Sequence, residues 1–299
     1  MDYLLNGIRG FCMALADSVP GVSGGTIAFI LGFYDKFINS LDSLMFGKKE
    51  EKVNALKFLI KIGIGWAIGM ILAILILTSL FTKHIYNISS LFMGFVICAI
   101  PLIVKEEKEN LKGKYKNLVF TLIGITIVAL ITYFNPMSGS ESAVNVTNLN
   151  FGLGLYIFVA AMIAISAMVL PGISGSTLLL IFGLYIPITN AIKEFLHLNF
   201  SYLPVLIIFG LGVLTGIVSV IKLIKLALKN ARSQTMYCII GLMIGSIYAI
   251  IMGPTTLEVP QASMTLGNFN IIFFVIGGLV IFGLEKVKNI LESKTENKK

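Results

Sequence analysis

One eight-residue segment occurs twice in this chain, and both copies break helices inside stretches otherwise suited to form them. Val19-Pro20-Gly21-Val22-Ser23-Gly24-Gly25-Thr26 returns as Leu170-Pro171-Gly172-Ile173-Ser174-Gly175-Ser176-Thr177. Both copies have strongly apolar surroundings, where Pro-Gly and a run of small polar residues are costly. Irregular backbone at membrane depth is tolerated only where it is buried in protein or lines a cavity. Apolar segments interrupted by Gly and Pro at matching places in two halves point to the binding site of a transporter.

The rest of the chain fits a bilayer. It is 57% apolar and 13% charged over 299 residues, with a mean hydropathy of +0.92. Apolar runs at 62–81, 118–134 and 203–221 approach or reach the roughly 20 residues a spanning helix needs, and 271–284 is slightly short. The N-terminal apolar stretch runs into the first Pro-Gly segment without a small-residue cleavage pattern, so it is not read as a cleaved signal. The net charge of +8 does not argue for nucleic acid, because Lys and Arg gather in short connections, as the positive-inside rule expects. Cys12, Cys98 and Cys238 lie far apart in apolar segments, and His84 and His197 stand alone. No metal-type spacing results, and neither a metal nor a cofactor is expected.

The two halves match beyond the duplicated segment. Gly32-Phe33-Tyr34 follows the first copy at the distance at which Gly183-Leu184-Tyr185 follows the second. Gly63, Gly65 and Gly69 then correspond to Gly210, Gly212 and Gly216, and Gly94 to Gly241. Each half reads as a Pro-Gly-broken helical pair followed by three long helices. Residues 1–134 form the first repeat, 135–150 a linker, and 151–299 the second repeat with a short basic tail.

Loop charge sets the orientation. Connections 35–61 and 105–116, the cluster Lys222, Lys225, Lys229 and Arg232, and the C-terminal tail are basic and belong in the cytoplasm. Stretches 135–150 and 253–268 carry no basic residue and belong outside, as does 82–89 with one Lys. Equivalent connections thus fall on opposite sides, which makes the repeat inverted, a hallmark of alternating-access transporters. The expected fold is an all-α polytopic membrane protein. Each half is a Pro-Gly-broken, re-entrant hairpin plus three transmembrane helices, with both termini cytoplasmic. Ten full spans is the alternative, since the arms 3–19 and 22–34 are short for crossings but 151–170 is not.

The chemistry of the segment follows from its residue types. Pro20 and Pro171 end the incoming arm, and Gly21 and Gly172 permit a tight turn. Ser23 and Ser174 are placed to cap the outgoing helix. Gly24, Gly25, Thr26 and Gly175, Ser176, Thr177 leave its first N–H groups open to an anion such as phosphate. Tight packing between helices is the plainer reading of such small residues, and it stays open.

Two ionisable residues lie in the first arm, each costing roughly 2.5–3.5 kcal/mol at a bilayer centre on translocon scales. Arg9 is a candidate phosphate ligand, with interfacial snorkelling as the alternative. Asp17 is a candidate proton carrier for coupling, or an acceptor that orders the turn. They lie about 12 Å apart along a helix and some 80° around it, so they are not expected to pair. Met168 and Val169 stand where the first half has Asp17 and Ser18, so the symmetry is broken chemically. Tyr34 and Tyr185 read as interfacial anchors.

The segments running from Ala16 to Thr26 and from Ala167 to Ser176, with Gly32-Phe33-Tyr34 and Gly183-Leu184-Tyr185, resemble the bacterial polyprenyl-phosphate transporter family over nearly the whole chain. That resemblance implies a multi-pass protein of the bacterial cytoplasmic membrane. It implies return of undecaprenyl phosphate from the outer to the inner leaflet for reuse in cell-envelope synthesis. The residues alone reach an anion held at the middle of an inverted repeat; the lipid comes from the resemblance. Whether the chain forms a homo-oligomer is left open.

Three other readings compete. Undecaprenyl-pyrophosphate phosphatases also carry a Pro-Gly-x-Ser motif, but they rely on acids in a membrane arm and an Arg after the motif Ser. Here Gly24 and Gly175 follow those serines, and the first arm has the single acid Asp17. The equipment for hydrolysis is missing, and no enzymatic activity is expected. A carrier of a small anion or other solute, and a purely structural membrane protein, are the remaining readings.

Overall fold

Every regular element in the computed structural model is helical across the described residues, 2–17, 23–72, 78–133, 146, 149–256 and 260–296. Helices α1 (Asp2–Asp17) and α2 (Gly24–Ile30) flank the first Pro-Gly segment. They are followed by α3 (Tyr34–Phe46), α4 (Lys49–Leu72), α5 (Thr78–Glu106), α6 (Lys108–Leu111) and α7 (Leu118–Tyr133). The second half opens with α8 (Phe151–Val169) and α9 (Gly175–Ile181) on either side of the second segment. Then come α10 (Tyr185–Leu196), α11 (Leu203–Asn230), α12 (Arg232–Met252) and α13 (Ile271–Glu296).

Six helical stretches among the described residues are long and apolar enough to cross a membrane. They belong to α4, α5 from His84 onward, α7, α8, α11 and α12. As the sequence lengths suggest, α8 is long enough to qualify, and the apolar part of α13, Ile271–Gly283, is short. At 1.5 Å per residue, the 16 residues of α1 extend about 24 Å, less than a bilayer core. α12 is the most enclosed span, with 61% of its apolar stretch buried in protein against 17% for α7.

Equivalent helices pack in equivalent pairs. α1 lies along α4, and α8 lies along α11; α5 packs on α13, and α12 on α7. Glycines set the close crossings. A side chain on Gly69 would strike Phe11 of α1, and one on Gly216 would strike Met162 and Ile165 of α8. Gly63 and Gly210 have nothing within 4 Å of that position. Small residues at these crossings let two helix backbones approach within van der Waals contact. The core draws on both halves: Phe33 and Tyr34 of the first share it with Ile221, Met236, Met243 and Ile250 of the second.

Three expectations change. The connection 35–61 is not a loop: it holds α3 and the first turns of α4, both amphipathic or charged enough to read as solvated. The basic residues Lys222, Lys225 and Lys229 lie within α11, and only Ala231 separates it from α12. The stretch 82–89 is helical, broken at His84 by non-helical torsions. Its polar residues read as a loop because their partners are distant in sequence. Asn87 accepts from Asn270 at 2.9 Å, and the neighbouring Ser90 hydroxyl accepts from the Asn270 N–H at 3.0 Å. Most of 135–150 and residues 257–259 fall outside the described residues.

Candidate functional site

The duplicated segments meet. The Ser23 side chain accepts from the Thr26 N–H at 3.3 Å, the expected N-cap bond of α2. The same hydroxyl donates across the junction to the carbonyl of Leu170 at 3.2 Å. Thr26 Oγ1 accepts from the N–H of Gly172 at 2.8 Å. Tyr34 donates its hydroxyl to the carbonyl of Val169 at 3.2 Å. Ser23 and Thr26 are each 1% exposed, so these bonds sit where water does not compete with them.

Tyr34 is therefore not an interfacial anchor. It is 2% exposed and holds the second segment in place; its counterpart Tyr185 is exposed. The Pro-Gly turn of the second segment is formed by Pro171 and Gly172, with Gly172 at φ +90°, a torsion glycine adopts without penalty. Pro20 and Gly21 of the first turn lie outside the described residues.

Asp17 ends α1 and acts on the turn. Its carboxylate accepts from the Gly24 N–H at 2.6 Å and from the Trp66 indole N–H at 2.9 Å. A carboxylate on the first N–H of α2 is favoured by the helix dipole, and the indole of α4 fixes its rotamer. Trp66 is a residue that sequence reasoning passed over. A lone Trp carries no motif, and its contact with Asp17 exists only because α1 and α4 cross.

The glycines after each serine face protein. A Cβ on Gly24 would lie 2.8 Å from Asp17 Oδ2, and one on Gly25 would lie 2.7 Å from the carbonyl of Val169. One on Gly175 would lie 2.9 Å from the carbonyl of Ala164. In this arrangement the small residues serve close packing first. Ser174 and Gly175 are buried at the start of α9, whose first turn also contains Ser176 and Thr177.

Two cavities border this junction. One, of about 250 Å³, is walled by Asp17, by α8, by Ser174 and Gly175, and by Phe209 and Val213 of α11. The other, of about 270 Å³, is walled by Asp17, Gly24, Gly25, Trp66 and residues of α3 and α8. Asp17 is the one ionisable side chain lining either cavity among the described residues. Arg9 is placed elsewhere. Its guanidinium lies 4.9 Å from the centre of the Phe33 ring and donates to Asn6 Oδ1 at 3.1 Å. A cation over an aromatic face and a buried amide give it a partly buried seat near the α2–α3 turn. Arg9 lines neither cavity.

Comparison with known proteins gives a consistent result. Residues 13–267 match the VCA0040-like family, described as undecaprenyl phosphate translocase-like. A Staphylococcus aureus protein named polyprenyl-phosphate transporter is 35% identical over 287 residues, 95% of this chain and 96% of its own length. A Vibrio cholerae protein of the same name is 31% identical over 258 residues, 83% of this chain and 77% of its own. No solved structure matches.

Proposed function

The chain belongs to the undecaprenyl phosphate translocase-like family, and from that premise we propose the transport reaction it performs. It is a multi-pass membrane transporter, not an enzyme, and its substrate is a polyprenyl phosphate such as undecaprenyl phosphate. The protein moves the lipid's phosphate between leaflets, and recycling for envelope synthesis requires net movement from outer to inner.

The mechanism we infer uses an inverted repeat, 1–134 and 151–299, with α1–α2 and α8–α9 as re-entrant hairpins and both termini in the cytoplasm. The matched helix pairs and the matched use of Gly65 and Gly69, and of Gly212 and Gly216, support the repeat. The short reach of α1 supports a hairpin. The phosphate is placed at the junction of the two segments, against Ser174, Gly175, Ser176 and Thr177 on one side and Ser23, Gly24, Gly25 and Thr26 on the other. Arg9, on its seat by Phe33, attracts the headgroup toward that junction. The single observation that carries this reading is the direct hydrogen bonding of one segment to the other beside two cavities.

Asp17 then has a defined problem to solve. A phosphate passing an ionised carboxylate in a medium of low dielectric is strongly disfavoured. A proton on one of the two acids removes the conflict, which couples passage to protonation. The test is leaflet-resolved movement of undecaprenyl phosphate in proteoliposomes holding only this protein. Movement should exceed that in protein-free vesicles, and in Asp17→Asn it should no longer respond to an imposed pH gradient. Wild-type vesicles that move no lipid would sink the assignment. Single cysteines at Lys112 and Ser263 that label from the same side would sink the inverted arrangement.

A further inference from the structure

The two cavities beside the junction share part of their lining. Asp17, Ile165 and Met168 border both. Beyond those three the walls diverge. The first cavity is completed by Leu179 of α9 and by Phe209 and Val213 of α11. The second is completed by Phe37 and Leu41 of α3 and by Leu59 and Trp66 of α4. Each volume is several times the ~30 Å³ a water molecule takes up in the liquid. Each is thus large enough for a phosphate with part of its hydration.

Ile165 and Met168 lie three residues apart on α8, on one helix face. Both residues line each of the two spaces, and the partition is placed at them on that ground. Asp17 is the polar edge of this partition, and its carboxylate is already tied to Gly24 and Trp66. The part that can move without breaking a hydrogen bond is apolar. Met suits that place: it is unbranched, with three side-chain torsions, and repacks at small cost. The equivalent position in the first half is Asp17 itself, so one partition takes its polar element from the first segment and its apolar element from the second.

We propose that Met168, backed by Ile165, is the gate that a prenyl phosphate headgroup must displace to pass from one cavity to the other. This rests on the proposed transport of a polyprenyl phosphate. In the orientation proposed above, the Phe209 cavity serves the outer leaflet and the Leu59 cavity the inner one. The isoprenoid tail stays in lipid; only the phosphate crosses the partition. Gate bulk then affects the rate of passage more strongly than the affinity of either cavity.

The experiment is a size series at one position, read in two ways. Met168→Leu and Met168→Trp are compared with wild type in sealed phosphatidylcholine–phosphatidylglycerol vesicles, using a fluorescent short-chain prenyl monophosphate. Translocation should stay close to wild type in Met168→Leu and slow by about tenfold or more in Met168→Trp. Equilibrium binding of the same probe to purified Met168→Trp protein should fall by a smaller factor than translocation does, and an equal fall in both would overturn the gate. Translocation by Met168→Trp at the wild-type rate would overturn the gate and leave the transport function standing. Wild-type protein that moves none of the probe would overturn both. A second measurement does not depend on the Trp variant folding. Phe209→Cys and Leu59→Cys, in a background without Cys12, Cys98 and Cys238, should react with a small impermeant thiol reagent from opposite sides of the vesicle. Reaction of both from the same side would overturn the two-cavity arrangement.

Discussion

The two halves of the chain are joined at a seam of neutral hydrogen bonds and at a rim of ion pairs. At the seam, Ser23, Thr26 and Tyr34 bond the backbone of residues 169–172. At the rim, Arg232 of α12 donates to Asp35 at 3.0 Å and, through two nitrogens, to Glu107 at 3.1 and 2.5 Å. Asn110 supports Glu107 at 2.7 Å, and Lys225 of α11 pairs with Asp42 of α3. The seam is almost fully enclosed, with Ser23 and Thr26 at 1% exposure; at the rim the Arg232 side chain is 35% and Lys225 43% exposed. Buried neutral bonds are insensitive to salt and pH and costly to leave unmade. Partly exposed ion pairs are screened, individually weak and easily exchanged for water. The difference suits a division of labour in the proposed transport cycle, with the seam as the element that would stay fixed and the rim as the contact that would open first.

The largest effect should come from forcing the seam apart. Gly25→Val places a side chain against the carbonyl of Val169, where the first carbon alone would sit 2.7 Å away. Overpacking of this kind costs about 1–3 kcal/mol or more, and here backbone stands on both sides. The variant should lose its cooperative thermal transition in detergent or fail to yield monodisperse protein. Gly63→Ala, with nothing within 4 Å of the added carbon, should melt like wild type. Equal melting of the two variants would mean that the seam is not the fixed element.

A smaller loss should follow from Thr26→Val, which keeps the shape and removes the acceptor of the Gly172 N–H. Leaving that buried donor without a partner costs about 1–3 kcal/mol. Tyr34→Phe, which removes one neutral bond to Val169, should cost about 0.5–1.5 kcal/mol. Both losses, measured as shifts in melting temperature, should be the same at low and at high salt. A shift that shrinks as salt rises would put the seam in the same class as the rim.

The seam's parts were legible in the sequence, but their assembly was not. A Pro-Gly segment occurring twice in apolar surroundings announces itself, and of the matched glycines Gly65 and Gly69, with Gly212 and Gly216, mark where α1 crosses α4 and α8 crosses α11, whereas Gly63 and Gly210 face open space. Asp17 stands out as a lone acid in an apolar arm, yet nothing near it in sequence names Trp66, which arrives on another helix. Tyr34 read as an anchor since its position relative to the bilayer depends on α2 being only seven residues long. The rim was invisible for a related reason. α3 looks like a charged connection until Asp35 and Asp42 meet Arg232 and Lys225, which lie more than 180 residues away. Charge counting places such residues near an interface; it does not pair them.

The smallest effect is also the one that separates the two junctions most cleanly. Burial alone would push the Glu107 carboxyl up, but hydrogen bonds from Arg232 and Asn110 and the guanidinium charge outweigh it and hold the group below its ordinary 4.5. A carboxyl lowered in the folded state contributes stability that is complete above its unfolded value and is lost as pH falls through its folded value. The rim should therefore weaken as pH drops from about 6 toward about 3, with the loss concentrated in the acid end of that window. Screening by solvent at the half-exposed Arg232 limits the contribution to about 1 kcal/mol or less. Melting temperatures of wild type and Glu107→Gln, followed over that range at low salt, should converge as the acid limit is approached. Thr26→Val should run parallel to wild type throughout, because the bond it removes, between the Thr26 hydroxyl and the Gly172 N–H, contains no titrating group. A Glu107→Gln protein that keeps the wild-type slope would remove the rim as the pH-sensitive contact between halves, and with it the reason to expect the halves to separate there first.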